Sequence, residues 1–289
     1  MRRMHVCLAT NCIGFRVKIG QFVRKSDGQR IQRWRCNRCK KNTSDALKSP
    51  CYRQNKRHLN SLVAILLCSA VSQRRIALIL KISRLTVSRK FEFLCAQAKI
   101  KNEQYVSELF SKERVKEIFM DEMEDRVHTK CKPVAIALAV NAERKILGVR
   151  VSQMRPKNRK LNQISKRKYP KWIPNLENGF ESLLLQIRPY LDPEVKIKSD
   201  EKYFYSKLIK KVLPKSQHIR FKSRSAVISG QGELKEGGRD PLFQINHTCA
   251  SLRANINRMI RRTWCTSKKI ENLQKHIELY QSFHNLKLT

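Results

Sequence analysis

Acid is what this chain has least of for its size: 23 Asp and Glu stand against 62 Lys and Arg in 289 residues, a formal charge of +39. A surface so one-sided repels itself, which makes a polyanionic partner close to a requirement. Long apolar runs are also missing. The longest, Leu62 to Val71, is broken by Ser69 and is too short to span a bilayer. The start, Met1-Arg2-Arg3-Met4, leads into Cys7 and polar residues without the apolar centre of a secretory signal. The expectation is a soluble, non-exported chain with no membrane partner. Neither glycine nor proline occurs between Pro50 and residue 112, which leaves that stretch free to be helical. What is present is a 41% share of apolar residues, enough to bury a core, on a length that suits two or three domains.

Cysteine is not scarce, and its placement is informative. In a chain read as intracellular, ten cysteines are thiols rather than a disulfide framework. Cys7 and Cys12 form a C-x4-C pair, and Cys36 and Cys39 a C-x2-C pair, so two short knuckles can supply four thiolates to one structural Zn²⁺. The basic run Trp34 to Lys41 around the second pair favours thiolate over thiol. This predicts a zinc ribbon over residues 1–45, with metal supplying most of its folding energy and free thiols or a ligand role for His5 as the alternatives. Cys51, Cys68, Cys95, Cys131, Cys249 and Cys265 lack paired spacing and read as small buried hydrophobes.

Residues 46–112 read as a helical domain carrying a helix-turn-helix. Ser72 caps a short amphipathic helix through Leu80, Ile82 and Ser83 make a turn and second cap, and Leu85, Val87, Phe91 and Leu94 form an apolar stripe on the next helix. Its other face begins with Arg84, Thr86, Ser88 and Arg89, which can reach base edges and phosphates in a DNA major groove. At the turn, the place glycine often fills is Lys81, which costs energy if φ must be positive. An ordinary helical bundle with a solvated polar face is the plain alternative.

From residue 113 to 289 strand-like and helix-like stretches alternate, a mixed α/β domain. An apolar segment, Glu117 to Met120, stops at Asp121; Pro133 to Val140 and Ile146 to Val151 read as a hairpin; a helix from about Glu177 to Arg188 precedes a strand, Val195 to Ser199, that ends at Asp200. The basic stretch Arg155 to Lys171 has little periodicity and reads as a loop. Three strands, a helix and a fourth strand is the order of the ribonuclease H-like fold, whose first and fourth strands are neighbours, so the two aspartates would meet. Phosphoryl transfer on DNA uses two Mg²⁺ (or Mn²⁺) ions, roughly 3.5–4 Å apart. Such hard cations take oxygen ligands held rigidly at strand ends. The third ligand has two candidates. Asn246 lies on a helix from about Leu242 with Arg253 two turns further along the same face; Glu233 is a carboxylate, but in a glycine-rich stretch that reads as a loop. The helical geometry favours Asn246 over Glu233.

Taken in order, the four-cysteine ribbon, the helix-turn-helix of Ser72 to Leu94, Asp121-Glu122, Ser199-Asp200-Glu201, the helix Asn246 to Arg253 and the basic run Arg261 to Lys269 resemble the bacterial insertion-sequence transposases of the DDE type, closest to the insertion-sequence-one group. The resemblance implies Asp121 and Asp200 as the family's two aspartates, Asn246 in the place of its glutamate and Arg253 in that of its basic residue. It implies metal-dependent hydrolysis at the element's ends followed by strand transfer into target DNA. The implied partners are double-stranded DNA, as terminal repeats and as target, and further copies of the chain on that DNA, in a bacterial cytoplasm at the nucleoid. Two other classes stay open: a DNA-binding regulator with a silent cleft, and a nucleic-acid-packing protein with no cleft at all.

Overall fold

The computed structural model describes residues 5–111, 113–222, 240–260 and 265–288, and Glu233 lies outside them. The fold is mixed α and β with two separate sheets, and the chain divides into two compact units, Met1–Leu62 and Val63–Thr289. Among the described residues no helix is long and apolar enough to cross a membrane.

The first unit is an antiparallel meander of β1 (His5–Val6), β2 (Phe15–Val23), β3 (Arg30–Cys36) and β4 (Asn42–Ser44), in that order. The β2–β3 turn needs Gly28 at φ +69°, a conformation that costs a residue with a Cβ, and is tied by Arg24, which ion-pairs with Asp27 and whose N–H donates to the Gln29 carbonyl at 2.9 Å. Its few buried side chains centre on Trp34, over which the Arg16 guanidinium lies at 5.4 Å.

The second unit takes in α1 from Val63 (the helix spans Asn60–Leu67), α2 (Gln73–Ile79) and α3 (Arg84–Leu109). Ser72 and Ser83 cap α2 and α3, accepting from the N–H groups of Arg75 at 3.4 Å and Thr86 at 3.1 Å. Lys81 between them does take a positive φ, +49°. The buried face of α3 is Val87, Phe91, Cys95, Ala98, Asn102 and Val106; Leu85, expected on that stripe, is 58% exposed because it stands a quarter-turn or more off it. This face packs on the C-terminal helix α8 (Ile270–Phe283), where Asn102 Nδ2 donates to the Glu278 carbonyl at 2.9 Å.

The main sheet contains β5 (Val115–Arg126), β6 (Pro133–Asn141), β7 (Ile146–Gln153), β8 (Leu191–Asp200) and β9 (Gln217–Phe221), ordered β7-β6-β5-β8-β9. The first three strands run antiparallel to one another, and β8 lies parallel to both β5 and β9. One face, with Ile118, Met120, Val195 and Ile197, packs on α5 (Leu176–Ile187) and α6 (Tyr205–Val212). On β7, backbone groups that face no neighbouring strand are taken by amides from the C-terminal residues: Gln274 bonds the N–H of Val151 and the carbonyl of Val149, and Asn285 bonds both groups of Ile146.

Two expected elements differ. β5 does not stop at Asp121 but continues to Arg126, because β6 is long enough to supply ladder partners as far as Arg126↔Pro133. The basic stretch read as a loop contains α4 (Arg159–Lys168), started by Asn158, whose Oδ1 accepts from Leu161 N–H at 3.1 Å, and seated by buried Ser165, which donates to the Cys131 carbonyl.

Candidate functional site

Four thiols come together in the first unit. The ligand atoms of Cys7, Cys12, Cys36 and Cys39 all lie within 4.8 Å of one another, and the pairs Cys7–Cys39 and Cys12–Cys36 are 3.7 and 3.6 Å apart. Tetrahedral thiolates on zinc would stand about 3.8 Å apart, so the cluster could hold that ion with little movement. Burial alone would push the Cys36 thiol up, but hydrogen bonds from the backbone N–H groups of Cys39 and Arg38 and from the Cys39 and Cys7 thiols together outweigh it, and its pKa is lowered to about 6. Gly14 is required here for space: a Cβ would sit 2.7 Å from Cys36 Sγ. Among the other six cysteines, Cys68, Cys95, Cys131 and Cys249 are buried as expected; Cys51 is half-buried, and Cys265 is exposed because its segment lies on the surface.

The second unit holds an open cleft of about 1040 Å³ lined by Asp121, Asp200 and Arg253. The parallel register of β5 and β8, Ile118↔Ile197 and Phe119↔Lys198, carried two residues further, sets Asp121 level with Asp200. Ile118 and Ile197 face the α5–α6 side, so by the two-residue alternation of strands both aspartates point to the opposite face. That is the face toward α7 (Phe243–Asn255), which packs on β5 and β6. β8 ends at Asp200 while β5 runs on, and the step between them opens the cleft.

Its electrostatics are mixed. Five acids (Asp121, Glu122, Glu124, Asp125, Asp200) and five cations (Arg126, Lys130, Lys157, Lys202, Arg253) line it. Burial raises the pKa of Asp200 against the pull of a backbone bond from Lys202 N–H, and burial likewise raises that of Asp125. Glu122 ion-pairs with Lys202, whose own pKa burial pulls down. Asp125 Oδ2 is buried without a hydrogen-bond partner. Beneath the pair, Tyr205 is wholly buried and its hydroxyl makes no hydrogen bond; burial, then the charges of Asp121 and Asp200, push its pKa up.

Asn246 is not part of this arrangement. It sits in the first turn of α7, its amide nitrogen donates to Asp240 Oδ2 at 2.7 Å, and it does not line the cleft. Residues seven apart share a helix face but stand about 10 Å apart along its axis, so one turn reaches the cleft and the other does not. Among the described residues, the four-thiol cluster alone gathers three or more His, Cys, Asp or Glu ligand atoms. Arg84, Thr86, Ser88 and Arg89 sit in the first turns of α3; Arg84 and Arg89 are exposed, and the Thr86 hydroxyl is engaged with Ser83 at 2.8 Å. Lys202 and Tyr205 were missed in the sequence; the signal available was their closeness to Asp200. No protein-family model matches the chain, and no curated protein matches it.

Proposed function

We propose that this chain is a DNA-cutting and DNA-joining enzyme, an insertion-sequence transposase of the DDE type, with its reaction centre at Asp121 and Asp200 and a structural zinc ion on the four thiols. The observation that carries the reading is the alignment of two carboxylates on neighbouring parallel strands, on one face, opposite Arg253 in an open cleft. The strand order, with two parallel strands joined to an antiparallel trio, supports a ribonuclease H-like catalytic domain. Capped helices meeting at a positive-φ turn support a helix-turn-helix.

The donor set fits a divalent cation: carboxylate oxygens are hard ligands, and burial leaves Asp200 short of compensating positive charge. Asp121 and Asp200 would hold the ion, Mg²⁺ or Mn²⁺. When bound, it supplies Lewis-acid stabilisation of the phosphate and activation of the attacking hydroxyl. Arg253 binds a phosphate oxygen across the cleft, and Lys202 is held by its ion pair with Glu122, the residue after Asp121. Asn246 keeps its amide nitrogen on Asp240 and is not among the described residues that line the cleft. Asp125 lies about 13 Å along β5 from Asp121, too far to share one ion with it.

A second reading has an observation of its own. With Asn246 turned to Asp240, the described residues bring no third ligand to the cleft, which is what a silent, DNA-binding regulator would show. Mg²⁺- or Mn²⁺-dependent nicking of duplex DNA carrying the flanking repeats separates the two. Activity in the wild type that Asp200→Ala abolishes while DNA binding persists is the outcome for the enzyme. Binding with no nicking by either protein is the outcome for the regulator. Asn246→Ala should keep most of the nicking.

A further inference from the structure

A second depression, of about 760 Å³, lies between the start of α3 and the segments 257–260 and 265–268. Its walls carry Arg74, Arg84, Arg258 and Lys268 and no acid, unlike the evenly charged cleft beside it. Arg258 is built in: its guanidinium lies 5.5 Å from the Phe91 ring and donates to Ser267 Oγ at 3.3 Å, fixing the wall to α3. Arg74, Arg84 and Lys268 are exposed, and among the described residues no carboxylate pairs with them. At the floor, His276 is 1% exposed and its Nδ1 has no hydrogen-bond partner. Thr266 lines both depressions, so the groove and the Asp121–Asp200 cleft meet at one wall.

We propose that this groove is a phosphate track for duplex DNA, holding the backbone of the same duplex whose reacting phosphate lies in the Asp121–Asp200 cleft and leading it across Thr266 to the start of α3. The proposal rests on the nucleic-acid reading above and adds the route. Unopposed cations at a helix start suit backbone phosphates, which fix register without reading sequence. The described lining offers no Phe, Tyr or Trp ring for unpaired bases to stack on, which favours a duplex over a single strand as the occupant.

The test is fluorescence anisotropy of the full-length, zinc-loaded protein in buffer free of Mg²⁺ and Mn²⁺, with a labelled duplex and a single strand of equal length, across a range of salt. The variants are Arg84→Gln with Lys268→Gln, and, as a control, Lys196→Gln with Lys210→Gln, exposed lysines outside both depressions. Each lost phosphate contact lowers the slope of log K against log salt by about 0.9, so the groove pair should lower it by about 1.8 and the control pair by much less. Equal slopes for the two pairs overturn the track, as does a preference for the single strand. Because no Mg²⁺ or Mn²⁺ is present, either of these results leaves the cleavage reading standing; a wild type that binds no duplex at all sinks both.

Discussion

On β2 the side chains of Phe15, Val17 and Ile19 are 39, 50 and 44% exposed, whereas on β6 every residue from Val134 to Val140 is buried. Five of the nine residues of β2 and seven of the nine of β6 are apolar, yet only the second strand has layers on both sides. The first unit therefore has only a small core, centred on Trp34, and its four gathered thiols offer a second source of cohesion. The second unit depends on burial, through a cluster from Val115 to Leu213 that joins the sheet to α5 and α6. In a small unit a metal replaces apolar area; in a large one it is not needed for folding.

The largest expected effect breaks that comparison at its metal. Chelation, or Cys36→Ser with zinc present, should unfold the first unit and leave the second melting cooperatively, since structural zinc contributes on the order of 10 kcal/mol to such units. Amide exchange read unit by unit, beside zinc content, checks it. If the strands β2 and β3 stay protected without metal, the first unit has a source of stability other than zinc.

Next is the mirror experiment. Phe180→Ala removes a wholly buried ring that meets Phe204 at 5.3 Å and Tyr205 at 4.8 Å. A loss of about 3–5 kcal/mol should appear in denaturant melts of the second unit, with zinc content unchanged.

A smaller effect depends on pH. His276 is buried and neutral; burial, with Arg258 nearby, lowers its pKa from 6.5 to about 4 against the pull of the Leu67 carbonyl, and the Phe91 ring covers it. The unfolded chain takes up the proton first, so stability is full above pH 6.5 and falls as pH drops toward 4, by about 3 kcal/mol over that window. His284, also lowered by burial, adds in the same direction, while Asp125 and Asp200, raised by burial, oppose it. His276→Gln should flatten the melt between those values; an unchanged pH profile would place the dependence elsewhere.

Much of this was legible from local signals. Ser72, Ser83 and Lys81 announce their caps and turn within a few residues, and the cysteine spacing gathers the thiols whatever the rest of the chain does. The two aspartates were legible as a pair because strand order fixes which strands are neighbours. What was hidden depends on partners distant in sequence. Strand β5 outlasts its apolar run only because β6 lies beside it, and Asn246 misses the cleft because sharing a helix face does not settle what lies opposite each turn. Lys202 and Tyr205 gain their roles from burial near acids on another strand, which no spacing rule records.

The smallest prediction returns to one backbone conformation that both units use. Lys81, between α2 and α3, has φ +49°, and Lys40, next to Cys39, has φ +59°. A side chain in that region costs roughly 1–2 kcal/mol, and glycine removes the cost but adds about 0.4–1 kcal/mol of unfolded-chain entropy. Lys81→Gly should therefore stabilise the second unit by up to about 1 kcal/mol, a rise of a few degrees in its melting temperature. Lys40→Gly should give a gain of the same order, but in zinc affinity, because folding and metal binding are one equilibrium in the first unit. A competitive chelator titration reads the second gain and a thermal melt the first. If Lys40→Gly raised the melting temperature of metal-free protein instead, the first unit would be folding without its metal, and the contrast between the units would fail at its foundation.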